Sequence, residues 1–266
     1  ILWASLFKNI IFQKTYTNNY STDEIGKIDK KITYFNFHLS RQLIHFKTKK
    51  LLNYYKSKSI KKIDKNRQFI FFPLHYQPER STCPDGMKYS NQYLLLRLIR
   101  DYLDKDISIL IKEHPRQFTM NSARNQSYRS EFFYKELLAQ KNVYFIDQNF
   151  SIKDILFHPK LEGVLTVRGN IMLEAFFNDI PSFAIGKSIW KELPYVYDCN
   201  NVENLININS LIKSKNKGIP SDSVKLEKMN LLMRKGFLSE QFLFKLKENE
   251  LKRFNNYFQK LIKSIL

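Results

Sequence analysis

Cysteine and glycine are scarce in this sequence, and their scarcity excludes several classes of protein. Only 2 of the 266 residues are Cys and only 7 are Gly. Cys83 and Cys199 lie far apart, and no Cys-x-x-Cys or mixed Cys/His ligand spacing occurs. A disulfide scaffold and a structural zinc site are therefore not expected. As a separate expectation, we predict neither a metal ion nor a resident cofactor. The same cysteine usage favours a cytoplasmic protein.

Long apolar runs are missing as well. No run approaches the roughly 18–20 residues that a membrane-spanning helix requires, so no such helix is predicted. Residues 1–12 are apolar but lack a basic start and a small-residue cleavage site, so we do not interpret them as a signal peptide. Because the sequence begins with Ile1 rather than Met, we expect it to be a piece of a longer chain.

Three motifs of well-known enzyme classes are absent. The sequence contains no Gly-x-x-x-x-Gly-Lys-Ser/Thr, no Gly-x-Gly-x-x-Gly and no Gly-x-Ser-x-Gly. These absences argue against a P-loop nucleotidase, a typical Rossmann dehydrogenase and an α/β-hydrolase, respectively.

Positive charge is abundant but unevenly distributed. The formal net charge is +19, from 44 Lys and Arg against 25 Asp and Glu. Residues 1–67 hold 15 basic and 4 acidic side chains, residues 213–266 hold 13 and 5, and residues 68–212 hold 16 of each. Basic flanks around a neutral centre do not form one groove along a phosphate backbone, so no nucleic-acid partner is expected. Two interpretations stay open: solvated lysine faces, or peripheral contact with an anionic surface on the inner face of the cell membrane.

Short apolar runs alternate with helical patterns in the middle of the chain. The runs typical of buried strands are at residues 68–74, 107–112, 142–147, 163–167 and 180–185. Helical spacing predicts helices between them at residues 89–103, 131–140, 151–157 and 170–178. Further helices are predicted at residues 36–62, from residue 202 onward and at residues 240–266.

This alternation predicts an α/β fold with a doubly wound, mostly parallel, Rossmann-like sheet. Residues 68–200 would form that domain. Residues 1–67 would be the remnant of a preceding domain plus a connecting helix, and residues 201–266 would be C-terminal helices.

Polar residues directly follow three of the predicted strands. Ligands of an open parallel sheet bind beyond the carboxyl ends of its strands, so these residues are candidates for a site. They are Gln77 and Glu79 after the first strand, Lys112, Glu113 and His114 after the second, and Arg168, Gly169 and Asn170 after the fourth, with Glu174 one turn later. A carboxylate and an imidazole can move protons near neutral pH, so Glu79 and His114 are the catalytic candidates. For His114 and Glu174, purely structural roles stay open.

The residues after the fourth strand have the order of a phosphate-binding turn. Gly169 permits a tight turn, and Asn170 can cap the helix that follows it. The helix N-terminus attracts an anion, and Arg168 can add a bidentate contact. Glu174 could accept hydrogen bonds from ribose hydroxyls.

Four segments occur in the order found in a known family. They are FFPLHYQPE at residues 71–79, ILIKEHPRQF at 109–118, NVYFID at 142–147 and GVLTVRGNIMLEAFFNDIPSFAIG at 163–186. In these segments, which span about half of the chain, the sequence resembles bacterial capsule polysaccharide biosynthesis proteins, the GT-B-like glycosyltransferases that include the capsule Kdo transferases. It departs from them at Asn170, where Ser or Thr is usual, and at Met172, where a small residue is common.

The resemblance implies the C-terminal half of a GT-B glycosyltransferase. Such an enzyme would transfer a sugar, with Kdo from a CMP-linked donor as one candidate, to a glycan or lipid-linked acceptor. It implies that Gln77 and His114 line the donor site and that Gly169 and Glu174 hold the nucleotide end. We expect Lys112, Glu113, Arg168 and Asn170 to bind the donor as well. Two alternatives stay open: a polyol-phosphate transferase of the teichoic-acid type, and a catalytically degenerate half that acts as a scaffold at the membrane.

Overall fold

We describe the fold from a computed structural model. It describes residues 25–79, 82–83, 85–119, 128–186, 188–215, 218–225 and 227–228. The helix predicted at residues 240–266 lies outside these residues.

A parallel sheet forms the centre of the described chain. Its seven strands are β1 (Ser59–Ile60), β2 (Phe69–Pro73), β3 (Ser108–Lys112), β4 (Val143–Ile146), β5 (Leu161–Thr166), β6 (Ser182–Ala184) and β7 (Val196–Asp198). They lie in the order β1-β4-β3-β2-β5-β6-β7, and each neighbouring pair is parallel. The predicted doubly wound α/β fold is therefore confirmed.

Helices cover both faces of the sheet. They are α1 (Ile25–Lys58), α2 (Gln92–Tyr102), α3 (Glu131–Leu138), α4 (Ile152–Leu156), α5 (Ile171–Phe177), α6 (Val202–Ile206) and α7 (Ile208–Lys213). Successive strand residues point to opposite faces, so Ile70 and Phe72 pack with α1, α2 and α3, whereas Phe69 and Phe71 pack with α4 and α5. All four side chains are fully buried, as expected for a strand covered on both sides.

The α/β unit extends beyond the predicted domain limits of 68 and 200. Tyr55 of α1 is fully buried in the core, and β1 pairs with β4, so residues before 68 belong to the same sheet. At the other end, Leu205 of α6 and Ile208 of α7 are buried in that core as well. The helix predicted at residues 36–62 begins earlier, at Ile25, and ends at Lys58, and β1 begins at Ser59.

The strand order reverses between β2 and β5. From β2 the chain proceeds to β3 and β4 on one side, and then crosses to β5 and β6 on the other. The loop after β2 and the loop after β5 therefore leave the same edge of the sheet in opposite directions, which opens a crevice there. Two of the three predicted polar clusters follow these strands, and the third follows the neighbouring β3.

Within the described part of the chain, no helix combines the length and the apolar character that a bilayer crossing demands.

Candidate functional site

Two buried glutamines fix the loop that follows β2. The backbone N–H of His75 donates to Gln92 Oε1 at 2.7 Å, and Gln92 Nε2 donates back to the His75 carbonyl at 3.2 Å. Gln117 makes the same paired contact with the backbone of Gln77, at 2.9 and 3.1 Å. Because Gln92 lies on α2 and Gln117 follows β3, this loop is anchored to two elements.

A fully buried ion pair in the connection after β3 also contacts the loop after β2. Arg129 Nε lies 2.6 Å from Glu113 Oε2, and both side chains are 0% exposed. Arg129 also donates to the Gln77 side-chain oxygen and to the His75 carbonyl, the latter at 2.9 Å. Tyr134 of α3 donates its hydroxyl to the same Glu113 oxygen at 2.8 Å.

These contacts change the expected roles of Gln77 and Glu113. Both were predicted to bind the donor, but the Glu113 carboxylate has no exposed surface and Gln77 is almost fully buried. The carboxylate also accepts the backbone N–H of His114 at 2.8 Å. A buried charge that is already paired and hydrogen-bonded has little capacity left for a ligand. We therefore infer that both side chains position the neighbouring loops.

Tyr55 extends the network to α1. Its hydroxyl donates to the Ile146 carbonyl at 2.7 Å and accepts the Glu113 backbone N–H at 2.9 Å. Burial raises the pKa of Tyr55 and that of Tyr134 well above the usual phenol value, so both hydroxyls stay protonated and can donate. The long helix before the sheet thus helps to set the position of the His114 loop.

His75 connects the two loops at the strand-order reversal. Its Nε2 lies 3.0 Å from Thr166 Oγ1 and accepts the Arg168 backbone N–H at 3.3 Å. Thr166 Oγ1 in turn accepts the Gly169 N–H at 2.9 Å. A Cβ at Gly169 would lie 2.8 Å from that hydroxyl oxygen, so a larger residue would have to displace the Thr166 side chain.

His75 is neutral at physiological pH. Its pKa is lowered to about 4, mainly by burial, and the nearby charges of His114, Arg129 and Arg168 contribute in the same direction. A neutral ring agrees with the contacts, because Nε2 can accept the Arg168 N–H only when that nitrogen carries no proton.

The depressed pKa of His75 predicts a loss of stability in acid. Above about pH 6.5 the ring is neutral in both the folded and the unfolded chain. Between about pH 6.5 and pH 4 the unfolded chain binds the proton first, so the contribution of His75 to the free energy of unfolding falls as the pH falls. Urea unfolding across this range should show a steeper loss for the wild type than for His75→Gln. The exposed His45 supplies the control, since His45→Gln should follow the wild type.

Arg168 forms an ion pair with Asp85 while keeping part of its surface in solvent. The Arg168 side chain is 33% exposed and that of Asp85 is 17% exposed. The loop carrying Asp85 lies close to the end of β6, because a Cβ at Gly186 would be 3.1 Å from the Asp85 carbonyl oxygen. The guanidinium therefore lies beside the crevice with one acidic partner and with free surface for an anion.

Asn170 does not cap α5, contrary to the prediction. Its backbone is already helical, and its side-chain oxygen accepts the Trp190 indole N–H at 3.1 Å. Met172 is fully buried in an apolar cluster with Leu173 and Trp190, so its side chain lies in the core and away from the turn. Glu174 lies in the first turn of α5, where its side chain is half-buried.

Lys112 and His114, two members of the cluster after β3, differ in exposure and in hydrogen-bond partners. Lys112 is 8% exposed, and its ammonium donates to the Phe150 carbonyl. His114 is half-buried, and its Nδ1 accepts the Arg116 backbone N–H at 3.2 Å. The neutral imidazole therefore carries its proton on Nε2. Burial lowers the pKa of His114, although the negative charges of Glu113 and Glu79 oppose that shift.

The two catalytic candidates, Glu79 and His114, follow β2 and β3, which are adjacent parallel strands. The Glu79 side chain is exposed, and its backbone carbonyl accepts the N–H groups of Thr82 and Cys83 at 3.1 and 3.0 Å. This short turn fixes the backbone of Glu79 in the loop after β2. The structure thus brings together one exposed carboxylate, one half-buried imidazole and, across the strand-order reversal, one partly exposed guanidinium.

Sequence reasoning did not identify Arg129, Thr166, Tyr55, Tyr134 and Gln117. Thr166 is the last residue of β5, so the expectation that ligands bind beyond strand ends identifies it only when the exact end of the strand is known. Arg129 carries no local signal, because it lies in a polar stretch between elements.

Within the described ranges, no group of three or more His, Cys, Asp or Glu side chains is arranged to hold a metal ion.

Comparisons with known proteins give distant structural likenesses only. No family model matches the chain, and no curated protein matches it. Among solved structures, UDP-GlcNAc 2-epimerase from Methanocaldococcus jannaschii is 18% identical over 61% of this chain and 42% of its own, with a TM-score of 0.37. S. aureus MnaA, in a co-structure with UDP, is 14% identical over 71% of this chain and 50% of its own, also with a TM-score of 0.37.

The epimerase from M. jannaschii in complex with UDP-GlcNAc and UDP gives a TM-score of 0.34, at 15% identity over 74% of this chain and 51% of its own. The chain spans about half the length of the structures that it matches. Likenesses this weak do not establish a shared activity, and the parallel α/β fold is established by the sheet itself.

Proposed function

We propose that this chain forms the donor-binding part of a glycosyltransferase of capsule or surface polysaccharide biosynthesis. The donor would be a nucleotide sugar, with CMP-Kdo as the first candidate, and the acceptor a glycan or glycolipid. The observation that carries the proposal is the set of Arg168, His114 and Glu79 beside the strand-order reversal of a parallel sheet. The resemblance of four sequence segments to the capsule family supports the same proposal.

The electrostatics of the crevice suit a leaving nucleotide phosphate. In sugar transfer, negative charge develops on the phosphate oxygen as its bond to the anomeric carbon breaks. The Arg168 guanidinium and the Nε2–H of His114 are the donors available to that charge. Because the Arg129–Glu113 pair holds the loop of His114, and His75 accepts the backbone N–H of Arg168, the donors would need little rearrangement on binding.

Glu79 is the group proposed to take the acceptor's proton. The acceptor oxygen forms a bond to the anomeric carbon, the electron pair of the broken bond leaves with the nucleotide, and the acceptor's hydroxyl proton passes to the Glu79 carboxylate. The exposed position of Glu79 is compatible with this role, because an acceptor has to reach it from solvent.

Isothermal titration of the chain with CMP, CDP, UMP and UDP tests the proposal. We expect saturable binding of at least one pyrimidine nucleotide, and tighter binding of the matching nucleotide sugar. A CDP-glycerol arm tests the polyol-phosphate alternative. Absence of binding by every nucleotide, with the fold intact by circular dichroism, would contradict the proposal.

A further inference from the structure

The last turns of α1 have one buried side and one exposed side. Between residues 42 and 58, only Thr48 and Tyr55 are buried. At 100° per residue these two positions lie about 20° apart, and the opposite side of the helix is centred on Phe46. Phe46 is 68% exposed, and Leu43 nearby is 55% exposed. An aromatic side chain therefore stands at the middle of the solvent-facing side.

Lysines surround this aromatic side chain. Lys49, Lys50 and Lys56 fall within about 80° of Phe46 around the helix axis, and all three are exposed. We call Phe46, Lys49, Lys50 and Lys56 the basic face of α1. Lys50 lies 3.5 Å from Glu131 of α3, an exposed pair that leaves its charge only weakly neutralised.

No acidic residue interrupts the lysines along this part of the sequence. Residues 42–63 contain seven lysines and no Asp or Glu. Lys61 and Lys62, just after β1, are also exposed. The positive charge of these lysines attracts an anionic surface over a distance set by the Debye length, which is about 8 Å at physiological ionic strength.

We propose that the basic face of α1 is a docking surface for an anionic lipid bilayer. Phe46 would enter the headgroup region, while the lysines beside it would contact lipid phosphates and extend their aliphatic stems along the interface. A protein partner fits this face less well, since the buried centre of a protein interface is depleted in Lys. The face needs no nucleotide, so the proposal stands independently of the glycosyltransferase assignment.

Vesicle co-sedimentation of the chain tests the docking surface. Vesicles of equal parts phosphatidylglycerol and phosphatidylcholine should bind the protein, whereas vesicles of phosphatidylcholine alone should not. Raising the salt to about 1 M should abolish binding, because the Debye length falls to about 3 Å. Strong binding to the neutral vesicles would overturn the electrostatic basis of the proposal.

Matched variants locate the surface. Lys49→Gln with Lys56→Gln should weaken binding about thirtyfold, whereas Lys105→Gln with Lys141→Gln removes the same charge from exposed positions elsewhere and should change it little. Phe46→Ser should weaken binding about tenfold. Its control is Phe157→Ser, because Phe157 is 53% exposed at the end of α4 on the opposite face of the sheet.

Two results would overturn the assignment of this face. One is equal weakening by the two lysine pairs, which would indicate a general effect of net charge. The other is failure of the folded chain to bind the anionic vesicles. That result would indicate that the basic face contacts another partner, such as a further part of the same protein.

Discussion

Replacing Arg129 with Met is expected to lower the free energy of unfolding by about 3–5 kcal/mol. The substitution leaves the Glu113 carboxylate buried without its cation, and it removes the donors to Gln77 and to the His75 carbonyl. Urea unfolding followed by circular dichroism measures the change. This large effect follows from the 0% exposure of both members of the pair, since an exposed pair would contribute less than about 1 kcal/mol.

A double-mutant cycle separates the ion pair from the general cost of changing a buried residue. Adding Glu113→Gln to Arg129→Met should cost less than the sum of the two single changes, with a coupling above about 1 kcal/mol. Arg97 of α2 is exposed, so Arg97→Met is the control and should change stability by less than about 0.5 kcal/mol. A loss below about 1 kcal/mol for Arg129→Met would show that the pair does not hold the loops.

The second large effect concerns nucleotide binding. Arg168→Gln is expected to raise the dissociation constant about tenfold to a hundredfold, because a hydrogen bond to a charged group contributes about 1.5–3 kcal/mol. Isothermal titration with the nucleotide that binds best gives the measurement. Arg97→Gln, which removes the same charge from an exposed helix position, should leave the affinity unchanged.

Asp85→Asn distinguishes an anion-binding role of Arg168 from a structural one. The change removes the acidic partner and leaves the guanidinium in place, so nucleotide affinity should stay the same or rise. If Arg168 serves only to hold Asp85, both substitutions should weaken binding by similar factors. That result would remove Arg168 from the proposed site.

The sequence predicted the strands with strong local signals and missed those without them. The runs that became β2 to β6 are continuous and apolar, because both faces of these strands are covered. The missed strands are β1, with only two residues, and β7, which is partly exposed along its length. Neither strand contains a continuous apolar run that the sequence could reveal. Both form because an adjacent strand, β4 or β6, provides hydrogen-bond partners.

The site shows the same division between local and long-range information. The polar residues after β2, β3 and β5 were found because strand ends are visible in sequence. Glu113 was predicted to bind the donor, but a charge that directly follows an apolar strand can equally be paired within the protein. Its partner Arg129 is 16 residues away in a polar stretch, and only the folded chain brings the two together.

The capping prediction for Asn170 failed for a related reason. Asn after glycine is a good N-cap in isolation, but Trp190 approaches from the loop after β6 and takes its side-chain oxygen. A tertiary contact thus replaces a local preference.

The most direct test of the account follows the histidine ring signals by NMR while CMP is added to the labelled chain. Binding at the carboxyl edge of the sheet should shift His75 and His114 along saturating curves. His45 on α1 and His158, which packs against Phe69 at the start of β2, should stay unchanged. Shifts confined to His45 or His158, or no shift with any nucleotide tested, would contradict the proposal that this edge binds a nucleotide sugar.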